Sequence, residues 1–173
     1  MGAAMLRPIG MDQLLQSFLD AQRGRVFEIV EGLTPEQLTK AVLPSGWTVL
    51  GMIEHLGGAE RHWFQQVALG AADPFPWPEE PTEDDEGGFS SALSPETVFG
   101  FYRDQIARSN EVLASVPWDT PPVGDHGQGD TSLITDLRFI VLHLIEETAR
   151  HLGHLDAARE LIDGRTGLGQ DPL

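Results

Sequence analysis

Cysteine is absent from the 173 residues, which excludes disulfides, thiolate metal sites and a cysteine nucleophile. Lysine occurs once, at Lys40, and ten arginines face 27 acidic residues, giving a formal net charge of -16. So little positive charge leaves no basic footprint for nucleic-acid phosphates and no attraction to an anionic membrane surface. No apolar run approaches the ~18 residues that a membrane span needs. The opening M-G-A-A-M-L-R-P-I-G has no long apolar core followed by a cleavage site, so it does not read as a signal peptide. A cytoplasmic protein is the expectation. Convincing strand alternation and internal repeats are also missing.

What is present is helical period. Hydrophobic residues make up 40%, enough for one core, and the length suits one domain over 1–173 with a flexible N-terminus over 1–10. Leu14, Leu15, Phe18, Leu19, Val26, Phe27 and Val30 recur at helical spacing over 11–30, and Gly32 supplies the stop. Thr34-Pro35-Glu36-Gln37 reads as a capped helix start leading to a turn or two before Pro44. Thr48 opens a second long helix that ends at Gly70, with Gly57-Gly58 in its middle. Each internal glycine costs roughly 1 kcal/mol relative to alanine, which points to a close approach by another helix or a ligand. Residues 71–93 carry prolines and acids incompatible with a helix interior and predict a long acidic connection, with Phe75 and Trp77 tucked back onto the domain. A third helix is predicted from Ser94 to about Ala114, and a fourth from a cap at Ser132 or Thr131 to about Gly164, with a bend near Gly153. Four long helices with long crossover loops predict an all-α four-helix bundle, a fold that commonly places metal sites between inward-facing side chains.

The chemistry-bearing stretch is H-L-I-E-E-T-A-R-H-L-G-H over 143–154, inside an apolar segment without proline. His143, Glu147 and His151 follow one another at i, i+4 and i+8 and share one helix stripe, with His154 three residues on. Imidazole and carboxylate suit zinc- or nickel-type cations, and a pair at i and i+4 needs a third donor from elsewhere. His55, mid-helix among apolar and small residues, is the natural third. Spacing alone does not choose between His143/Glu147 and Glu147/His151. A carboxylate on a core-facing position is costly unless a cation pairs with it, so Glu147 is the sharpest test. Its bland reading is a salt bridge to Arg150 or a solvated position, while Glu146 takes the solvent side. His62 and His126 read as ordinary surface residues, with a place at a pocket mouth as the alternative for His62. His154 reads as an outer partner of the site or as dimer surface. Trp47 and Trp63 read as buried packing rather than pocket walls. The acidic run from Glu79 to Glu86 lacks the ligand alternation of a calcium loop and reads as solvated.

The stretches W-T-V-L-G-M-I-E-H-L-G-G-A-E-R-H-W-F and H-L-I-E-E-T-A-R-H-L-G-H-L-D-A-A-R-E resemble the DinB-like superfamily. Within it the nearer likeness is to the branch containing the N-terminal domain of mycothiol-dependent maleylpyruvate isomerase, from about Leu14 to Gly167. The resemblance implies a four-helix bundle holding a divalent metal through one histidine of the second helix and two ligands of the fourth. Carried over position by position, the ligands are His55, Glu147 and His151, because E-T-A-R-H matches the form in which the first of the pair is glutamate. The resemblance covers the first domain of that isomerase, and its second domain is not expected within these 173 residues.

The resemblance also implies thiol chemistry: an S-transferase or isomerase that uses mycothiol or a similar small thiol against an electrophile. One divalent ion, zinc or nickel, is the expected cofactor. His143, one turn before Glu147, is the expected acid–base residue or a donor orienting the carboxylate. Metal-assisted hydrolysis and a non-enzymatic, stress-associated metal-binding protein are the alternatives. A homodimer is a further expectation. A pocket lined by Trp47, His143 and residues 71–93 would favour the enzyme, and a bundle packed solid over His55 would argue against it.

Overall fold

Four long helices dominate the computed structural model, which describes residues 9–77, 89–127 and 131–167. Helix α1 spans Met11–Val30 and is followed by the short α2, Pro35–Thr39. The expected capping box opens α2: Thr34 Oγ1 accepts from the Gln37 amide, and the Gln37 side chain accepts from the Thr34 amide. Helix α3 spans Val49–Glu60 behind the Thr48 cap and continues without a break as a π-helical segment, Arg61–Val67. Helix α4 is Pro95–Ser115, capped by Ser94, and α5 is Leu137–Asp163, ended by Gly164 at φ 78°. Among the described residues there is no strand, and no helix is long and apolar enough to cross a membrane. The all-α bundle is as the sequence predicts. Residues 1–8 and the acidic run at 79–86 lie outside the described residues.

Two details differ from the sequence reading. The last helix is capped by Asp136, whose carboxylate accepts from the Phe139 amide, and not by Ser132 or Thr131. Thr131–Leu133 form a separate 3-10 turn. All three residue types cap well, but the buried stripe of α5 begins only at Leu137 and continues through Ile140, Val141 and Leu144. The π segment is the second difference, since its sequence R-H-W-F-Q-Q-V carries no mark that separates it from an ordinary helix.

The core consists of two apolar clusters. One gathers Val26, Trp47, Leu50, Ile53, Leu56, Tyr102, Leu152 and Leu155; the other gathers Leu19, Trp63, Phe64, Val112, Leu137, Ile140 and Leu144. Helices α1 and α5 pass from the second cluster to the first, whereas α3 and α4 run the opposite way. Each crosses between the clusters at polar residues: Arg23 in α1, Glu60 in α3, Gln105 in α4, and Thr148 and His151 in α5, all buried. Packing is most extensive between α1 and α5 and between α3 and α4. The α3–α4 approach needs Gly57, where an added Cβ would lie 2.7 Å from the Phe101 ring; Gly58 faces open space. Phe75 and Trp77 fold back as expected, with ring centroids 5.7 and 4.8 Å from Phe101.

Within this polar layer, Arg23 donates from Nε and Nη2 to the two Glu60 oxygens, both at 2.7 Å. Its Nη1 donates to Asp20 at 2.9 Å and to Asn110 at 3.0 Å. Burial works to lower the Arg23 pKa, but the charges and hydrogen bonds of Glu60 and Asp20 together outweigh it and the net shift is upward. The burial of the pair is tolerable because the fork of Arg23 and both carboxylate oxygens are satisfied.

Candidate metal centre

Helix α3 delivers His55 and helix α5 delivers Glu147 and His151 to one place. Glu147 Oε1 lies 3.0 Å from His55 Nε2 and 3.0 Å from His151 Nε2. One ligand atom from each of the three residues falls within 4.8 Å of the others. The stripe on α5 follows from the i, i+4 register, and His55 reaches it because α3 packs against α5. Of the two pairs that spacing left open, Glu147/His151 is the one brought to His55.

The electrostatics follow from the hydrogen bonds. Donation from His151 first, and from His55 second, holds the Glu147 carboxyl well below the ordinary carboxylate range despite its partial burial. An ionised carboxylate can only accept, so in this arrangement both Nε2 atoms carry the proton and donate. Arg150 takes no part, and Glu146 is exposed, as expected. On the far side of His151, its Nδ1 lies 3.3 Å from His154 Nδ1. The exposed His154 also packs its ring against Trp47 at 6.1 Å.

The three side chains are not sealed in. Side-chain exposure is 28% for His55, 24% for Glu147 and 9% for His151, so the cluster is partly in contact with solvent. Phe89 packs against both histidines, its ring 4.2 Å from His55 and 5.9 Å from His151. Its backbone is clamped to α3: the Thr48 amide donates to the Phe89 carbonyl at 2.9 Å, and a Cβ on Gly51 would collide with that oxygen. Sequence reasoning named the 71–93 connection only as a condition for a pocket and gave no signal for Phe89 in particular. Of the other expected lining, Trp47 is buried and His143 packs on Trp63 at 4.3 Å and parallel to Phe139 at 6.4 Å. Burial lowers the His143 pKa, with Glu147 opposing the shift. A cavity of about 500 Å³ lies elsewhere, between α1, α2 and α4, bordered by Phe27, Leu33, Phe99 and Arg103.

The donor set fits a divalent cation. Two imidazoles and one ionised carboxylate converge without a fourth protein donor among the described residues, which is the pattern of a site that keeps positions free for exchangeable ligands. His151 has a polar neighbour on its second nitrogen, the feature that fixes ring orientation in metal-binding histidines.

His62 and His126 are not the separate surface residues that the sequence suggests. His62 Nε2 and His126 Nδ1 are 2.8 Å apart, and Trp63 stacks on the His126 ring at 4.5 Å. The contact joins residues from the π segment and from the 117–127 loop, and no local pattern announces it.

A helical bundle with an inward His-Glu-His donor set drawn from its second and fourth long helices defines the class of DinB-like proteins. The family model described as Mycothiol-S-transferase matches residues 14–164, and the chain belongs to that family. No curated protein matches the chain significantly.

Proposed function

We propose that the protein is a metal-dependent S-transferase in which His55, Glu147 and His151 hold one zinc- or nickel-type cation and mycothiol, or a similar small thiol, is the co-substrate. The observation that carries this reading is the convergence of both Nε2 atoms on one Glu147 oxygen, in a chain of the mycothiol-S-transferase family. When bound, such a cation supplies the positive charge that acidifies a thiol in its open position.

The chain's own residues do the rest. To hold a cation, His55 and His151 would have to turn imidazole lone pairs to it in place of the Nε2 protons they donate to Glu147, and Glu147 would contribute a negative charge that does not cancel the cation's own. Phe89, packed against the His55 ring, supplies an apolar neighbour beside the donor set. In the transfer, the thiol sulfur forms a bond to the electrophilic carbon, and the leaving group departs with the electron pair. His143, kept neutral by burial, takes the thiol proton and returns one to the leaving group.

The test is conjugation of mycothiol to a halogenated fluorogenic electrophile, with zinc- or nickel-loaded protein. Metal-dependent turnover is expected, falling about 100-fold or more in Glu147→Ala, since even changes to the partners of a metal ligand cost 10–100-fold. Equal turnover by the metal-loaded and chelator-stripped protein contradicts the reading.

A further inference from the structure

The geometry points to a second divalent-cation site, with His62 Nε2 and His126 Nδ1 as its two protein ligands. These nitrogens face one another at 2.8 Å, separated by a single shared proton. His62 Nδ1 lies 3.2 Å from Gln66 Oε1, an acceptor, which fixes the proton on Nδ1 and leaves the Nε2 lone pair turned to His126. The bridging proton is therefore on His126 Nδ1. If it moves to His126 Nε2, both lone pairs point into the same gap. Zinc–imidazole bonds are about 2.0–2.1 Å long and a tetrahedral angle sets the two nitrogens about 3.3–3.4 Å apart, so the rings must part by roughly half an ångström and tilt until both lone pairs converge on the cation.

The pair is held by structure rather than by chance contact. The loop carrying His126 is docked by two backbone hydrogen bonds, Val123 amide to Ala68 carbonyl at 3.1 Å and Gly124 amide to Val67 carbonyl at 2.9 Å. Gly124 is obligatory at this contact, because a Cβ there would lie 2.0 Å from the Gln66 carbonyl. Trp63, itself buried, holds the His126 ring flat against its indole, with His143 on the same indole at 4.3 Å. Both ligands are half-buried, and burial keeps His62 in the neutral form that a metal needs. The remaining coordination positions fall to water, which makes the site exchangeable and selects cations with a strong preference for imidazole, of the copper, nickel or zinc type. A cation there would tie the 117–127 loop to the π segment. This site goes beyond the proposed transferase reading and does not depend on it.

The test is zinc stoichiometry of the full chain by equilibrium dialysis and mass spectrometry, at saturating zinc. Two equivalents are expected for the wild type, one for His126→Ala and one for His62→Gln. His55→Ala/Glu147→Ala is expected to keep one, and to show in its copper(II)-loaded form the paramagnetic resonance of two imidazole nitrogens. Adding His126→Ala to that variant should remove that signal. Circular dichroism confirms that each variant is folded, and His126, lying in a loop, leaves the helices intact. A single equivalent in the wild type overturns the proposal. So does a second equivalent that survives His126→Ala, which would place it elsewhere, for example at His151 and His154.

Discussion

Glu147 Oε1 lies 3.0 Å from His55 Nε2, although the two residues are 92 positions apart in the chain. The contact joins α3 to α5 in the layer where all four long helices turn polar, between two apolar clusters. In the same layer α1 is joined to α3 by Arg23 and Glu60, on other faces of the helices. One polar layer thus serves two purposes: a satisfied ion pair that fixes the helices, and a solvent-reachable donor set that has room for a cation.

The Arg23–Glu60 pair sets up a stability test. Arg23→Met leaves the Glu60 carboxylate buried and alone, and is expected to cost about 3–5 kcal/mol in urea unfolding. Arg23→Met/Glu60→Met removes both charges and should recover most of that loss. Equal destabilisation in the single and double variants would contradict this, because the loss would then not come from stranding the Glu60 charge.

The two adjacent glycines of α3 should respond in opposite directions. Gly58→Ala adds a methyl to open space in a helix and should raise stability, by up to about 1 kcal/mol. Gly57→Ala drives a methyl into Phe101, which in turn supports Phe75 and Trp77, and is expected to lower stability by about 1–3 kcal/mol. Thermal unfolding of the two variants side by side decides it, and the same sign for both contradicts the packing described.

Burial lowers the pKa of His143 and of His62 below the ordinary 6.5. For a base shifted down, the unfolded chain binds more protons, so each group contributes stability that is complete above 6.5 and lost as the pH falls through the folded-state value. Denaturant midpoints of metal-free protein should therefore fall between about pH 8 and about pH 5. His143→Gln should make that fall shallower; a slope unchanged by the substitution would mean that His143 is not the group responsible.

Much of this arrangement was legible from the residues. The α5 stripe was readable because a helix at i, i+4 spacing leaves Glu147 and His151 no choice but to share a face, and because a carboxylate among Leu144, Leu152 and Leu155 demands a partner. Choosing that pair over His143/Glu147 needed the family resemblance. What stayed hidden depends on contacts far apart in sequence. Glu60 looks like any polar residue in G-G-A-E-R until Arg23 is seen beside it, and His126 looks like a loop histidine until Gly124 docks its loop onto Val67. For the α5 cap no local signal was available: Leu133 and Ile134 continue the apolar period back from Leu137, and only the exposure of Leu133 shows that the buried stripe starts later.

The most direct measurement is the metal content of protein purified without a nickel column, wild type beside Glu147→Ala, after dialysis that strips weakly held ions. The account predicts about one retained divalent ion per chain in the wild type and loss of that ion in the variant. Wild-type protein that retains no metal, even after incubation with zinc, nickel or manganese, contradicts the metal centre and the transferase reading with it.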